Sequence, residues 1–222
     1  DDAEIIKVGN PALRPQFTNS FELGYKTTLK KGYFYSALYH RSTEGTITRI
    51  ATQVPPSTLI YTVFQNAGHS SNTGVEMVLQ HDFSKAVSIN TNVNVYRNII
   101  DAFTVENKYP VPSMYTATKE HFTSGNIKLN GIFHLPKQTD IQITSIYLAP
   151  DIIPQGKIGT RFSVDMGIKK QIQKSKGELF FNASDIFNTL NIKKELNGNG
   201  FKLASTDYYE TQVFRLGYSY KF

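Results

Sequence analysis

The sequence predicts an all-β fold: an antiparallel, up-and-down transmembrane β-barrel, of which about nine strands are present. Three observations predict it. Apolar and polar residues alternate with period two throughout, and helical periodicity is almost absent. The connections between the alternating segments sort by length (short, long, short, long) as the two rims of a barrel require. The segments reach about ten residues or more, longer than the five or six usual in soluble sheets and enough to cross a bilayer at a tilt.

The strands follow in order. FTNSFELGYKTTL (17–29) sets Phe21, Leu23, Tyr25 and Leu29 against Glu22, Gly24 and Lys26. After Lys30-Lys31-Gly32, YFYSALYHRSTEGTITRI (33–50) is the second strand, its faces less cleanly separated. Pro55 and Pro56 cannot donate to a ladder, so 53–58 is a loop. A third strand runs from Tyr61 to Asp82 and turns at Phe83–Lys85. The fourth (86–98) has Val87, Ile89, Val93 and Val95 on one side and Ser88, Asn90, Asn92 and Asn94 on the other. Residues 101–121, with Pro110 and Pro112, keep no steady period and read as a long loop. Strands at 122–135, 140–149, 160–172, 177–187 and 207–222 follow. Between them lie a turn at 136–139, a loop at 150–159, a turn at 173–176 and a loop at 188–206.

Asn130-Gly131 is a strong hairpin dipeptide. A turn there would pair Lys128 with Phe133 and Ile127 with His134, mixing both faces. Read straight through, Ile127, Leu129 and Phe133 stay in phase, so one strand passes through it. The last strand keeps Phe214, Leu216, Tyr218, Tyr220 and Phe222 on one face to the final residue. In water so long an aromatic edge would be an aggregation site. Nine is an odd count, whereas single-chain bacterial barrels use even ones. Either the long third strand hides a break or the chain is part of a larger barrel, and the second is preferred. Residues 1–16 are then an outer lead-in and 17–222 the barrel segment.

Composition excludes several classes. There is no cysteine, hence no disulfide framework, cysteine-ligated metal or thiol nucleophile. The net charge of +6 is spread out, with no Lys/Arg run longer than two, and no base-stacking signature is present, so nucleic acid is not an expected partner. No apolar run is long enough for a transmembrane helix. A mean hydropathy of −0.32 does not test a barrel, whose two faces cancel in any average. The opening DDAEIIKVGN lacks the pattern of a signal peptide, so a mature chain or a fragment is expected. His40, His69, His81, His121 and His134 form no ligand spacing, and neither a nucleophile elbow nor a phosphate loop occurs. No metal, cofactor or enzymatic activity is expected. Gly24, Gly74 and Gly217 lie inside strands and mark bulges or the close approach of another backbone. Lys30, Lys31, Lys85, Lys137, Lys174 and Lys176 fall at the short turns, as a solvated inner rim would place them.

Four stretches in order resemble the C-terminal barrel of TonB-dependent outer-membrane receptors. NPALRPQFTNSFELGYKT (10–27) is similar to that family's Asn-Pro-x-Leu-x-Pro…Glu-x-Gly stretch, with Gln16 where Glu is commoner. FQNAGHSSNTGVEMVL (64–79) resembles its Asn-x-Gly…Gly-(Val/Ile)-Glu strand, FNASDIFNT (181–189) its Val-x-Asn-(Leu/Ile)-(Phe/Leu)-(Asn/Asp) segment, and RLGYSYKF its aromatic end. The resemblance implies the last nine strands of a barrel of about 22, in a bacterial outer membrane. It also implies uptake of a scarce solute, without covalent chemistry. The partners would be membrane lipid, the N-terminal barrel strands, a plug, a TonB-type energy-coupling complex acting through that plug, and the barrel-assembly machinery. Phe222, Tyr220 and Tyr218 match the assembly signal. Glu22, Glu76 and Asp185 match polar motif positions and are expected to face the lumen with structural roles, because a charge on the lipid side is costly. Long outer loops carry recognition, so Tyr109, Tyr115, His121 and Phe201 are the candidate ligand contacts. Tyr208 and Tyr209 suit an interfacial girdle better. Two other readings are a non-transporting barrel with a surface-structural, adhesive or assembly role, and a soluble carbohydrate-binding β-sandwich.

Overall fold

The computed structural model describes residues 5–222; the first four residues of the expected 1–16 lead-in, and of the opening stretch that lacks a signal-peptide pattern, lie outside the described residues. Eighteen strands form: β1 (Ile5–Val8), β2 (Phe17–Leu29), β3 (Gly32–Glu44), β4 (Ile47–Gln53), β5 (Ile60–Asn66), β6 (His69–Asp82), β7 (Val87–Ile100), β8 (Phe103–Asn107) and β9 (Ser113–Ala117), followed by β10 (Glu120–Leu135), β11 (Thr139–Leu148), β12 (Asp151–Ile153), β13 (Gly156–Ile158), β14 (Arg161–Ile172), β15 (Gly177–Ser184), β16 (Asn191–Gly198), β17 (Phe201–Tyr208) and β18 (Val213–Tyr220). Nine of them make one antiparallel sheet in the order β18-β15-β14-β11-β10-β7-β6-β3-β2. Each is paired with the next long strand in the chain, so the sheet runs up and down without crossovers. The short turns all fall at one end and the long connections at the other.

Register carries one apolar face across the sheet. Leu23 lies opposite Leu38, Leu38 opposite Val75, and Val75 opposite Val95. Farther along, Ile143 faces Met166, Met166 faces Ala183, and Ala183 faces Phe214. The other face carries Glu22, Tyr39, Gly74, Tyr96 and Ser124 in the same way. Because side chains alternate strictly, a slip of one residue would exchange the faces, and the pattern admits only this register. Strand β10 passes straight through Asn130-Gly131 as the phase of its apolar residues requires. Among the described residues no second layer covers the apolar face: Phe214, Leu216 and Tyr218 are 59%, 80% and 51% exposed. A β-sandwich would have buried them.

Several expected boundaries move. The strand expected over 33–50 leaves the sheet at Gly45, and the one over 61–82 is broken at Gly68. Both glycines hold positive φ (63° and 54°), which ends a strand at little steric cost. The break in the third long strand does not change the count in the sheet, since β5 pairs with β4 and β1 instead. The expected loops at 101–121, 150–159 and 188–206 hold the hairpins β8–β9, β12–β13 and β16–β17. Residues 207–222 are not one strand: Tyr208 ends β17, and β18 stops at Tyr220, leaving Phe222 beyond it. His121, expected in a loop, stands in β10. The lead-in contains β1, parallel to β5.

The apolar side can be told from the polar side by a charge. Val93→Arg should cost about 2–4 kcal/mol and lower the folded fraction, whereas Asn92→Arg, one residue away beside Glu76, should be tolerated. Heat-modifiable gel mobility of the full-length protein in membrane fractions reads the difference.

Candidate functional site: the polar wall and the outer cap

The polar face of β7 presents Asn90, Asn92, Asn94, Tyr96 and Asn98 in succession, and its neighbours bring further amides into line. Asn90 lies between Gln80 and Asn130, and Asn94 between Glu76 and Asn126. The side chains bond to one another. Asn92 Nδ2 donates to Glu76 Oε1 at 2.6 Å, Tyr39 OH to Asn94 Oδ1 at 2.9 Å and Tyr35 OH to Glu22 Oε1 at 2.6 Å. Gln142 Nε2 and Thr144 Oγ1 both donate to Asn130 Oδ1 at 2.9 Å. Such a wall offers donors and acceptors with little net charge. Aromatic rings close the gaps over its glycines: Tyr35 covers Gly24, Tyr39 covers Gly74 and Phe180 covers Gly217. The close approach expected at these positions is by side chains at Gly24 and Gly217, whereas at Gly74 the Val95 backbone carbonyl of the neighbouring strand comes as near as the Tyr39 hydroxyl.

Toward the outer rim the wall hollows into a cleft of about 440 Å³ lined by Tyr39, Arg41, Asn72, Asn94, Tyr96, Asn98 and Asn126. The Arg41 guanidinium lies 4.6 Å over the Tyr39 ring and makes no ion pair among the described residues. It remains free to bind an acidic or hydroxyl-bearing solute.

Above the cleft the four long connections pack into one cap. Ile50, Ala67, Ile100, Phe103, Ala117 and Ile152 form its core, with Val105, Tyr115 and Phe122 against it. Strands β13 and β16 join the third and fourth connections into one sheet. Two buried amides fasten the first connection to its neighbours. Gln155 accepts from the Ala51 amide at 2.6 Å and donates to the Ala51 carbonyl at 2.8 Å, as a paired strand would. Asn107, fully buried, donates to Thr52 Oγ1 at 2.5 Å and accepts from Gln65 Nε2 at 2.7 Å. The cap is tied to the wall by Asp151, which accepts from Tyr96 OH at 2.7 Å and Asn98 Nδ2 at 3.2 Å.

Glu22 and Glu76 stand on the polar face. Asp185 lies in the turn leaving β15, buried, at positive φ (43°). Its carboxylate accepts from the Thr189 and Leu190 amides at 3.0 Å and from Thr211 Oγ1 at 2.6 Å. Burial alone would raise its pKa; the hydrogen bonds outweigh burial and hold it below the ordinary carboxylate value. The four candidate contact residues do not converge. Tyr109 meets Tyr61 edge-on at 5.8 Å, and Tyr115 packs in the cap 6.0 Å from Phe103. His121 lies on the apolar side of the sheet by register, and Phe201 heads β17 opposite Gly198. Tyr208 OH donates to Asn188 Oδ1 at 2.7 Å, and Tyr209 is exposed. At the end of the chain Tyr218 OH donates to Gln173 Oε1 at 2.7 Å, and Phe222 meets Tyr220 edge-on at 5.4 Å. Arg41, Tyr96, Asp151 and Gln155 were not singled out in the sequence. Arg41 and Tyr96 could have been found from the alternation of their strands; the two loop residues carry no local signal.

Removing the Asp185 carboxylate should open the fourth connection. In Asp185→Ala, amide exchange at Thr189 and Leu190 should rise on the order of a hundredfold, the equivalent of about 3 kcal/mol. Since the folded pKa is lowered, this stabilisation is complete above the unfolded value of about 3.9 and is lost as pH falls through the lower folded one. Protection factors at these amides should therefore hold from neutrality to about pH 5 and fall only below about pH 4.

The outer membrane protein beta-barrel family model matches residues 1–220. No curated protein matches the chain. An up-and-down sheet that is apolar outside and amide-lined inside, matched over nearly its whole length, places this chain in the outer membrane protein beta-barrel family, and thereby in the outer membrane.

Proposed function

We propose that the chain forms wall, outer cap and closing strand of a TonB-dependent outer-membrane receptor that takes up a polar solute. The observation that carries this reading is the cleft under the cap, where the unpaired Arg41 stands among amides and tyrosines on the polar face. The sheet is open, with β2 and β18 at its edges, and in hydrocarbon both edges need partners. In this proposal further N-terminal strands supply them, completing a barrel of about 22, and a plug fills the lumen. A TonB-type complex moves the plug, and the assembly machinery reads Tyr218, Tyr220 and Phe222. The chain does no covalent chemistry, binds no nucleic acid and needs no cofactor.

A second reading is a non-transporting barrel with a surface-structural, adhesive or assembly role. The packing of three outer connections around one apolar core, with the fourth joined to the third by β13 and β16, favours it, because a rigid lid suits display as well as capture. Uptake separates the two. Cells carrying the full-length protein should accumulate labelled acidic oligosaccharides or peptides only while the inner membrane is energised. Arg41→Ala should raise the apparent KM at least tenfold with the folded level unchanged, as loss of a charged hydrogen bond implies. Accumulation that ignores both de-energisation and deletion of the gene would leave the surface role in place.

A further inference from the structure

The apolar side of the sheet changes character along one line. Across β3, β6, β7 and β10, the registered row Leu38–Val75–Val95–Gly125 is its last apolar one toward the outer rim. The next row is His40–Thr73–Arg97–Thr123, and the one beyond is Ser42–Ser71–Ile99–His121. Successive rows on one face lie about 7 Å apart. His40, Arg97 and His121 are all exposed. His40 Nδ1 sits 2.8 Å from Thr73 Oγ1, while Arg97 and His121 make no ion pair among the described residues. The carboxylate that follows β7, Asp101, is taken up by Lys119 Nζ at 2.8 Å and His69 Nδ1 at 2.7 Å. Glu44 is two rows out from His40, at the end of β3.

We propose that Arg97, with His40 two strands away in the same row and His121 one row farther out on the next strand, binds the phosphate of an anionic lipid headgroup in the outer leaflet. The guanidinium presents a fork of donors suited to two phosphate oxygens, and its stem can lie along the apolar row below. Position selects the occupant. A cation one row above a lipid-facing apolar band is at headgroup depth, and Leu38 and Val95 directly beneath offer the acyl chain a dry surface. A free phosphate would have no use for that continuity.

The full-length protein in detergent, mixed with phosphatidylglycerol or phosphatidylcholine, tests this by counting retained lipids in native mass spectrometry. The wild type should retain phosphatidylglycerol in preference. Arg97→Gln should weaken that retention about fivefold and Arg97→Lys should restore most of it, with phosphatidylcholine unaffected. Inorganic phosphate should not displace the lipid. Should Arg97→Gln fail to fold, the wild-type preference and His121→Gln, expected to show a smaller loss of about twofold, decide the matter. Equal retention of the two lipids, unchanged retention in the folded Arg97→Gln protein, or displacement by inorganic phosphate would overturn the assignment.

Discussion

Hydrocarbon offers no hydrogen-bond partner to a peptide group, and the rest of this molecule is arranged around that constraint. Within the membrane every N–H and C=O of β3, β6, β7, β10, β11, β14 and β15 must be met by a neighbouring strand, and each of these strands has a neighbour on both sides. Continuous pairing fixes register, and register fixes faces. Once Leu23 is opposite Leu38, the outward or inward direction of every side chain in the sheet is decided, as far as Phe214 on the last strand. Local preference has little freedom left: Asn130-Gly131 would turn in water, yet here it stays extended because a turn would strand backbone groups and expose Lys128 to lipid.

The hydrophobic effect is consequently split between two places. The sheet has almost no interior, since its apolar side is turned to lipid and its other side to a wet lumen. The residues that are buried among themselves belong mostly to the connections: Ile50 and Ala67 from the first, Phe103 and Ala117 from the second, Ile152 from the third, joined by Ile100 at the end of β7. Water is available there, so apolar side chains gain by clustering, as in a soluble domain. Packing also buries polar groups, and an unpaired one would cost about 1–3 kcal/mol. Gln155 meets that cost by standing in for a missing strand partner at the Ala51 backbone, and Asn107 by bonding the side chains of Thr52 and Gln65.

The same split explains what could be read in the sequence. The membrane part was legible: the first strand at 17–29 forms as expected, and the parity of short and long connections gave the architecture. Two faces in two solvents impose period two, and nothing else in the chain competes with it. The cap was not legible. Its strands are short, as in Asp151–Ile153 and Gly156–Ile158, too short for a period to show. Its contacts join residues far apart, Gln155 to Ala51 being one, and no local spacing encodes such a meeting. Candidate contacts chosen as aromatics in long loops therefore scattered: Tyr115 was drawn into the cap core, while Arg41, on a strand with mixed faces, lines the cleft.

Wall and cap nevertheless meet at one polar joint. Asp151 begins β12 and holds Tyr96 and Asn98 of β7, both of which also line the cleft. A solute that hydrogen-bonds Asn98 or Tyr96 must compete with Asp151 for the same donors, or share them through water. Competition would loosen the third connection, and through β13 and β16 the fourth would follow, because those two are one sheet. In the proposed receptor, occupation of the cleft and order in the cap would thus be linked by shared donors, without any need for a longer path through the barrel. The link requires an amide-rich wall around Asp151: a wall of cations would hold Asp151 by ion pairs too strong for a polar solute to exchange.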